Sequence, residues 1–358
     1  MSRFIQLHVL TAYPPANLNR DDLGRPKTAK MGGCDRLRIS SQSLKRHWRT
    51  SELFQQVLAT EQGDSLIGTR TKRQGVLAYE TLLDLGVSEK KAKLWAQKIA
   101  EQFGKLKKPE KDNPLADLEI EQLVHLSSAE QNGISALLKT LAEEGREPEK
   151  TELDLLRKEN MAVDIALFGR MLASKPTYNV EAACQVAHAL SAHSVVIEDD
   201  YFTAVDDLND RSEDAGAAHL GEAGFAAGLF YSYICINKEL LIENLGGDKP
   251  LADRAVAALT ETILKVSPSG KQNSYASRAY ASYVVAEAGD QQPRSLSAAY
   301  LKPVDRYSED YAHDAIDALQ KQLQSFDKVY GDCADSRYVL NAVTGEGNIE
   351  ELLAFVSE

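Results

Sequence analysis

The stretch from Arg36 to Arg49, RLRISSQSLKRHWR, decides how the first part of this chain folds. Its first four residues alternate between charged and apolar side chains, which is typical of a short strand. Ser40 and Ser41 follow, and serine is among the preferred N-cap residues of helices. The sequence therefore predicts a strand that passes directly into a helix beginning at Gln42.

The predicted helix has an apolar face and a polar face. At about 100° per residue, Leu44 and Trp48 form an apolar i, i+4 pair that anchors the helix. Gln42, Lys45 and Arg49 fall together on a neighbouring face. The free N–H groups at the helix start, the hydroxyls of the two preceding serines and the two cations would bind phosphates along a sugar-phosphate backbone. An ordinary capped surface helix is the alternative.

The residues before this stretch predict a strand followed by a long loop. Residues 4–10 alternate in polarity, which is the pattern of a half-buried strand, and they place His8 on its polar face. The residues after Pro15, up to Gly33, show neither helical nor strand periodicity and carry several cations, including Arg20. Ordered loops of this length inside compact domains are usually functional.

Charge is distributed unevenly along the 358 residues. The formal net charge is -12, with 53 acidic against 41 basic residues, and an acidic total ordinarily counts against a nucleic-acid partner. Residues 1–50 nevertheless hold ten Lys or Arg against three acids, whereas residues 198–214 hold eight acids against one Arg. This asymmetry suggests an anion-binding surface in one region and a complementary or repelling surface in the other. Two solvated surfaces are the alternative.

The rest of the chain mixes helices and strands without regular alternation. Residues 51–175 show the apolar spacing of amphipathic helices almost throughout. Residues 181–190 predict a strand or short helix, and residues 225–236 a strand rich in aromatic and β-branched side chains. Residues 251–266 predict a helix, and the polar loop after them carries one cation, Lys271. The pattern favours an α+β fold with an inserted helical subdomain.

Composition and spacing exclude several classes of protein. The hydrophobic content of 43% is that of a globular chain, and the four cysteines form no C-x-x-C pair. The histidines form no metal-binding pair, and Gly270-Lys271 lacks the rest of a P-loop, so we expect neither metal nor cofactor. No signal segment precedes residue 4, and no apolar run approaches the about 18 residues of a membrane helix. We therefore expect a cytoplasmic protein with no membrane partner.

Three further features are candidates for function. His8 is the best catalytic candidate, although a satisfied core histidine is the more common role. Tyr201 and Phe202 interrupt the acidic segment. They would stack on bases, plug a neighbouring subunit, or form a small cluster within their own domain. Met171 is by default a core residue.

A series of short motifs resembles a known family. They are LNRDD at 18–22, GG at 32–33, RISSQSLKR at 38–46, DIALFGRM at 164–171, QVAHA at 185–189, FTAVDD at 202–207, AHLG at 218–221 and ENLGG at 243–247. In order and spacing they are similar to the backbone subunit of the type I-E CRISPR surveillance complex, Cascade (CasC, of the Cas-seven family). The resemblance covers nearly the whole chain and is least distinct in the C-terminal third.

The resemblance implies a hand-shaped α+β protein. Its palm would be an RRM-like (ferredoxin-like) sheet from residues 1–50 and 176–358, with helical fingers inserted at 51–175 and a β-hairpin thumb at 194–226. Several copies would form a head-to-tail helical filament along one CRISPR RNA. Each palm would grip the RNA backbone, and each thumb would reach the next copy and flip one base out, leaving the others to pair with target DNA.

The implied partners are CRISPR RNA, target DNA through the guide, further copies of this chain and the other Cascade subunits. Those are the large subunit, the small subunits and the subunits at the 5′ and 3′ ends of the CRISPR RNA. No cofactor is implied.

Carried over residue by residue, the resemblance also implies RNA-binding residues. The palm contacts to phosphates and sugars are Arg20, Lys27, Ser40, Gln42, Lys45, Arg46 and Arg49. Met171 would be the wedge beside the kink, and Tyr201 and Phe202 would lie near the flipped nucleotide. We add Lys271 to these RNA-binding candidates.

The chain departs from the family pattern at a few positions. Cys34 and Asp35 stand where relatives are basic, and Tyr201 replaces a Trp, so contacts there differ. The aromatic signature of RRM domains is absent, which fits binding of the RNA backbone without base reading on the sheet face.

Two rival functions remain open beside a non-enzymatic RNA-binding scaffold. The first is a metal-independent endoribonuclease on the same RRM-like fold, which would process CRISPR RNA with His8 as its base. No second catalytic histidine or tyrosine stands at an evident partner position. The second is a protein-interaction module that binds no nucleic acid.

Overall fold

One large sheet and a set of helices make up the chain in this computed structural model, which describes residues 2–59, 65–157, 161–204 and 219–358. The strands of the large sheet are β1 (Phe4–Ala16), β2 (Thr28–Met31), β3 (Cys34–Ile39), β6 (Cys184–Val186), β7 (Ala189–Ser191), β8 (Glu198–Ala204), β9 (His219–Asn237), β10 (Tyr283–Gly289) and β11 (Ser336–Asn341). A separate antiparallel pair consists of β4 (Thr69–Thr71) and β5 (Val124–Leu126).

The helices differ widely in length. They are α1 (Ser41–Arg49), α2 (Glu52–Val57), α3 (Gln74–Asp84), α4 (Glu89–Ala100), α5 (Ser128–Glu144), α6 (Val163–Phe168), α7 (Lys238–Asn244), α8 (Lys249–Lys265), α9 (Gln272–Tyr275), α10 (Tyr311–Tyr330) and α11 (Ile349–Ser357). Within the described ranges, none is long and apolar enough to cross a membrane.

The strand order identifies the core of the fold. Across the sheet the order is β11, β10, β1, β9, β7, β3 and β2, with β6 and β8 also paired to β9. The central four strands, β10-β1-β9-β7, follow the βαββαβ arrangement of ferredoxin-like folds, because α1 lies between β1 and β7 in sequence and α8 between β9 and β10. The pairs β1/β10 and β7/β9 are antiparallel. The predicted α+β class with an RRM-like palm is confirmed.

The described chain divides into two compact units. The sheet unit comprises Met1–Phe54, Gln185–Ile236 and Val256–Glu358, and the helical unit comprises Gln55–Cys184 and Asn237–Ala255. Residues 176–184 and 237–255 thus group with the helices, whereas the resemblance implies a palm that includes them.

β1 is buried on both of its faces, so the expectation of a half-buried strand is wrong. Gln6 and His8, on the face expected to be polar, are 3% and 0% exposed. The next residue on that face, Leu10, belongs to an apolar cluster that includes Tyr283 of β10 and Leu319 of α10. The sheet face that carries His8 is therefore covered by the C-terminal part of the chain.

His8 takes part in a buried polar network centred on Glu287 of β10. The His8 ring accepts from the Tyr231 hydroxyl at 2.9 Å through Nδ1 and donates through Nε2 to the Glu287 carboxylate at 3.1 Å. Arg294 donates twice to the same carboxylate, and Arg337 once. Burial would raise the pKa of Glu287, but the hydrogen bonds from His8 and Arg294 outweigh it and hold the pKa well below its usual range. Burial also lowers the pKa of His8.

The chain between β1 and α1 contains more regular structure than the sequence predicts. β2 and β3 form an antiparallel hairpin whose turn contains Gly32 and Gly33, within the region expected to be a loop. Gly32 has φ +62°, and a Cβ there would collide with the carbonyl oxygen of Leu301. Only glycine fits this turn, because the segment after residue 300 packs directly against its backbone.

The helical unit has a core of its own. Trp95 of α4 and Leu141 of α5 lie in one apolar cluster with residues of α3. The start of α5 has a capping box between Ser127 and Glu130. Glu130 also accepts from Arg170 in an ion pair that is almost fully buried, with a shortest distance of 2.9 Å. The prediction of helices almost throughout residues 51–175 misses the β4/β5 pair.

Glu287→Gln should lower the free energy of unfolding by about 3 kcal/mol at pH 7, because it leaves buried arginine charge without its carboxylate. Since the folded-state pKa of Glu287 is depressed, this stabilisation is complete above the unfolded-state pKa of about 4.3 and is lost as the pH falls towards the folded-state value. Urea denaturation at several pH values measures both effects.

The matched control for this prediction is Glu309→Gln, which changes an exposed carboxylate in the same unit. We expect it to alter stability by less than about 0.5 kcal/mol. Equal losses of unfolding free energy in the two variants would contradict the role given to Glu287. So would a difference in unfolding free energy between the wild type and Glu287→Gln that does not narrow below about pH 4.

Candidate nucleic-acid interface

The helix α1 forms as the sequence predicts, with Ser40 as its N-cap. The Ser40 hydroxyl accepts from the Ser43 N–H at 3.3 Å, and Leu44 and Trp48 anchor the buried side. Ser40 is itself 8% exposed and commits its hydroxyl oxygen to the cap. Its observed role is to start the helix, and its contact with a phosphate stays a prediction.

The cations of α1 lie on the accessible side of the helix. Gln42 and Arg46 are exposed, and Lys45 and Arg49 are half-buried. The ring of His47 fixes the helix to a distant loop, since its Nδ1 donates to the Ser43 carbonyl at 2.7 Å and its Nε2 accepts from a serine hydroxyl of that loop at 2.9 Å.

Three cations converge on His188, which precedes β7. Arg38 Nη1 of β3 lies 3.4 Å from His188 Nδ1. Partial burial lowers the pKa of His188, and the positive charges of Arg38, Lys27 and Lys45 lower it further. The three charges come from a hairpin, a loop and a helix, and all lie near enough to this imidazole to lower its pKa. We call Lys27, Arg38, Lys45 and His188 the cationic patch.

The loop before β2 is held in place by its own side chains. Asn19 Oδ1 accepts from the Ser40 N–H at 2.9 Å, which ties the loop to the start of α1. Asp21 Oδ1 accepts from the N–H groups of Leu23 and Arg25, each at 2.9 Å. This turn leaves the side chain of Arg20 exposed.

Lys271 lies in a backbone-strained loop next to these elements. It and Ala276 both have φ +48°, and within the described ranges no other non-glycine residue has a positive φ. The loop is anchored by Ser269, which bonds to His47 of α1, and by Gly270, where a Cβ would collide with the Leu18 carbonyl. Lys271 therefore belongs to the same side of the sheet unit as α1 and the loop before β2.

Five of the cations on these elements have no acidic partner among the residues that the structure describes. Within residues 2–59, 65–157, 161–204 and 219–358, no ion pair involves Arg20, Lys27, Lys45, Arg46 or Lys271. Surface cations that lack partners are available to an anionic ligand such as a phosphate backbone.

The pair β8/β9 occupies the position of the predicted thumb. It runs from the pair Glu198 and Phe225 to the pair Ala204 and His219. Residues 205–218, which include Asp206, Asp207 and most of the acidic segment, lie outside the described residues.

One end of the β8/β9 pair contacts the loop before β2. Arg25 and Asp199 form an ion pair at 2.7 Å, and Pro26 packs against the backbone of Gly224. One of the acids of the 198–214 segment thus pairs with a cation of its own chain.

Tyr201 and Phe202 are adjacent residues of β8 and so point to opposite faces of the hairpin. Tyr201 is 66% exposed and Phe202 43% exposed. The Phe202 ring lies over Gly221 of the partner strand. The two rings therefore lie on opposite faces of the β8/β9 pair, and both are partly exposed.

Met171 is displayed at the surface of the helical unit and is not the core residue that its type suggests by default. It is 82% exposed, whereas the preceding Arg170 is 4% exposed and bonded to Glu130. It borders a cleft of about 220 Å³ that Phe103 and Leu123 also line. Met171 is thus an exposed side chain that directly follows a buried and anchored arginine.

Sequence reasoning missed two members of the cationic patch. Arg38 is a cation of its segment but is not among the predicted site residues, and His188 was weighed only as a metal ligand and as part of the QVAHA motif. The signal for Arg38 was present, because it stands beside Ser40 in the decisive stretch. His188 lies in the QVAHA motif of the resemblance, but no local pattern predicts that it meets Arg38 across 150 residues of sequence.

No group of three His, Cys, Asp or Glu side chains in the described parts of the chain is arranged to hold a metal ion. The positive side chains of the patch suit anionic ligands, and exposed aromatic rings suit stacking.

Comparisons with known proteins agree with this architecture. A chain of the solved structure described as "CRISPR RNA-guided surveillance complex, pre-nicking" is similar over 99% of this chain and 100% of that chain, with TM-score 0.84 and 28% identity. A chain of another, described as "CRISPR RNA-guided surveillance complex", has TM-score 0.73 and 24% identity over 98% and 99%. That second likeness concerns the fold alone. No curated protein matched.

A comparison with protein families also gave a match. Residues 5–354 match the family described as CT1975-like protein. Since this match spans nearly the whole length, the chain belongs to the CT1975-like protein family.

Proposed function

We propose that this chain is the CRISPR RNA-binding backbone subunit of a type I-E Cascade surveillance complex. Several copies assemble head to tail as a helical filament along the spacer of one CRISPR RNA in the cytoplasm. Each copy binds the phosphate backbone and leaves the bases free to pair with target DNA. The other subunits of the complex, including those at the two ends of the RNA, complete the assembly.

One observation carries the proposal, namely the convergence of Lys27, Arg38 and Lys45 on His188. These side chains come from three separate elements, so the fold itself concentrates positive charge on a protein whose net charge is -12. Such a surface binds phosphates by charge and shape, with little dependence on base sequence.

The covered sheet face supports backbone binding over base reading. In RRM domains, aromatic side chains on the open sheet face stack on bases. Here that face carries His8 and Tyr231, and α10 and the segment around Tyr300 pack over it. RNA bound at the cationic patch consequently keeps most of its bases away from the sheet.

The location of His8 weighs against the rival endoribonuclease. Its side chain is fully buried, and both ring nitrogens are engaged, by Tyr231 and by Glu287. A general base must reach the proton that it removes, directly or through one water. His8 has a structural role in this network.

The exposed residues outside the patch support contacts with further copies. Tyr201 and Phe202 offer two ring faces beyond the sheet, and Met171 projects from the helical unit. In the proposed filament the hairpin of one copy reaches the RNA held by the next, where the rings lie beside a flipped nucleotide and Met171 is the wedge beside the kink.

The double substitution Lys27→Ala with Lys45→Ala should weaken binding of single-stranded RNA on the order of tenfold at about 0.1 M salt, equally for unrelated sequences. Because two phosphate contacts are lost, the slope of log K against log salt should become less negative by about 1.4. Fluorescence anisotropy with labelled RNAs over a salt series measures both quantities.

The control for this prediction is Lys321→Ala with Lys328→Ala, which removes the same charge from exposed positions of α10. We expect it to leave the salt slope nearly unchanged. A loss of affinity restricted to one RNA sequence, or an equal loss in the control, would contradict phosphate binding at the patch.

Incubation of the protein with CRISPR repeat RNA should leave the RNA intact, because the proposed subunit binds without cleaving. Denaturing gels resolve substrate from product. Specific cleavage that disappears in a His8→Ala variant would favour the rival endoribonuclease.

Protein purified after co-expression with CRISPR RNA should absorb strongly at 260 nm, whereas the rival protein-interaction module would be free of nucleic acid.

A further inference from the structure

A cavity of about 220 Å³ lies beside the cationic patch in the sheet unit. His188, on which the three cations of the patch converge, is one of its lining residues. Met31, Leu190, Tyr231 and Tyr300 contribute apolar and aromatic surroundings. The cavity therefore has a largely apolar and aromatic interior, and one residue of the patch, His188, lies in its wall.

Arg36 fixes the walls of this cavity. Its guanidinium is 0% exposed and donates to three carbonyl oxygens, of Met31 at 3.3 Å, Ser191 at 2.9 Å and Tyr300 at 2.7 Å. All three acceptor residues line the cavity. The walls come from β2, β7 and the segment around residue 300, and the one side chain holds them together.

The guanidinium of Arg36, which bonds to three lining residues, carries its positive charge behind the walls of the cavity. No carboxylate pairs with this guanidinium within the residues that the structure describes. Its positive charge is felt nearby, since it contributes to lowering the pKa of His193, after the effect of burial.

The tyrosines of the cavity offer ring surface in place of hydroxyls. The Tyr231 hydroxyl is engaged by His8 and by the Leu296 N–H, and the Tyr300 hydroxyl donates to the Ala315 carbonyl. The two rings lie 5.4 Å apart at an interplanar angle of 48°. A ligand in the cavity meets their carbon atoms and is oriented by other polar groups, among them the nearby Ser297.

We propose that this cavity holds one nucleobase of the RNA strand whose phosphates lie on the cationic patch. The proposal rests on the proposed RNA-binding function and adds a base site that lies in the palm itself. A volume of about 220 Å³ is below the roughly 300–1,000 Å³ of sites for drug-sized ligands, and it suits one planar ring system. Recognition by ring contacts tolerates every base, because every base has a π-face.

The test uses a substitution that fills the cavity and compares its effect on the affinities for two RNA probes. The probes are a labelled oligouridylate and the same sugar-phosphate chain with abasic ribose at every position. The variant Ser297→Phe should lower the affinity for oligouridylate about tenfold, which is within the range for losing one stacked base. Its affinity for the abasic chain, which is held by the patch alone, should equal that of the wild type.

Matched variants separate an occupied cavity from a damaged fold. Gln324→Phe adds the same ring at an exposed position of α10 and should change neither affinity. Ala187→Leu, a second and smaller filling of the cavity, should also reduce binding of oligouridylate alone. Urea midpoints equal to that of the wild type establish that the filled variants are folded.

The outcomes distinguish the two proposals. If the wild type binds neither probe, the proposed function fails and the base site fails with it. If the wild type binds both probes and the folded Ser297→Phe and Ala187→Leu variants retain full affinity for oligouridylate, the base site is wrong while the RNA-binding function stands.

Discussion

The buried guanidinium of Arg36 is the interaction on which the arrangement of the sheet unit depends. Its bonds to Met31, Ser191 and Tyr300 join the β2/β3 hairpin to β7 and to the segment that covers the sheet. Burying a charge without a carboxylate partner is costly, and three carbonyl acceptors are the compensation that this site offers. Two residues further along β3, Arg38 reaches His188, so the strand that is fixed by Arg36 also sets the geometry of the cationic patch.

The fold, as well as the sequence, separates positive from negative side chains. The net charge of -12 describes the whole chain, but the cations near α1 face His188 and have few acidic neighbours. The β8/β9 pair, which carries the acidic residues 198–200, contacts the loop before β2 through the ion pair of Arg25 and Asp199. Positive and negative regions therefore adjoin within one copy. In the proposed filament, an acidic exterior would limit unspecific capture of RNA while each patch stays positive.

Local features of the fold could be predicted from sequence, and features set by long-range packing could not. The cap at Ser40 and the apolar pair Leu44 and Trp48 define α1 within one short stretch, and the structure agrees. The burial of His8 was missed because its cover comes from residues almost 280 positions away, such as Glu287. β2 was missed because the fit of Gly32 against Leu301 is visible only once both segments are folded.

The same division applies to the candidate site. Cations of the first fifty residues pointed to an anionic partner, and Lys27 and Lys45 do lie in the patch. His188 and the cavity beside it depend on the meeting of β3, β7 and the C-terminal segment, which no local pattern encodes. Residue type alone also misjudged Met171, which is exposed although the Arg170 before it is buried.

The central claim is that RNA lies on the cationic patch of the sheet unit. Ultraviolet cross-linking of the protein, co-expressed with CRISPR RNA, followed by mass spectrometry of the linked peptides, tests it most directly. The account predicts cross-links in peptides that contain Lys27, Lys45 and His188. Cross-links that avoid these three peptides, or the absence of any RNA from the purified protein, would contradict it.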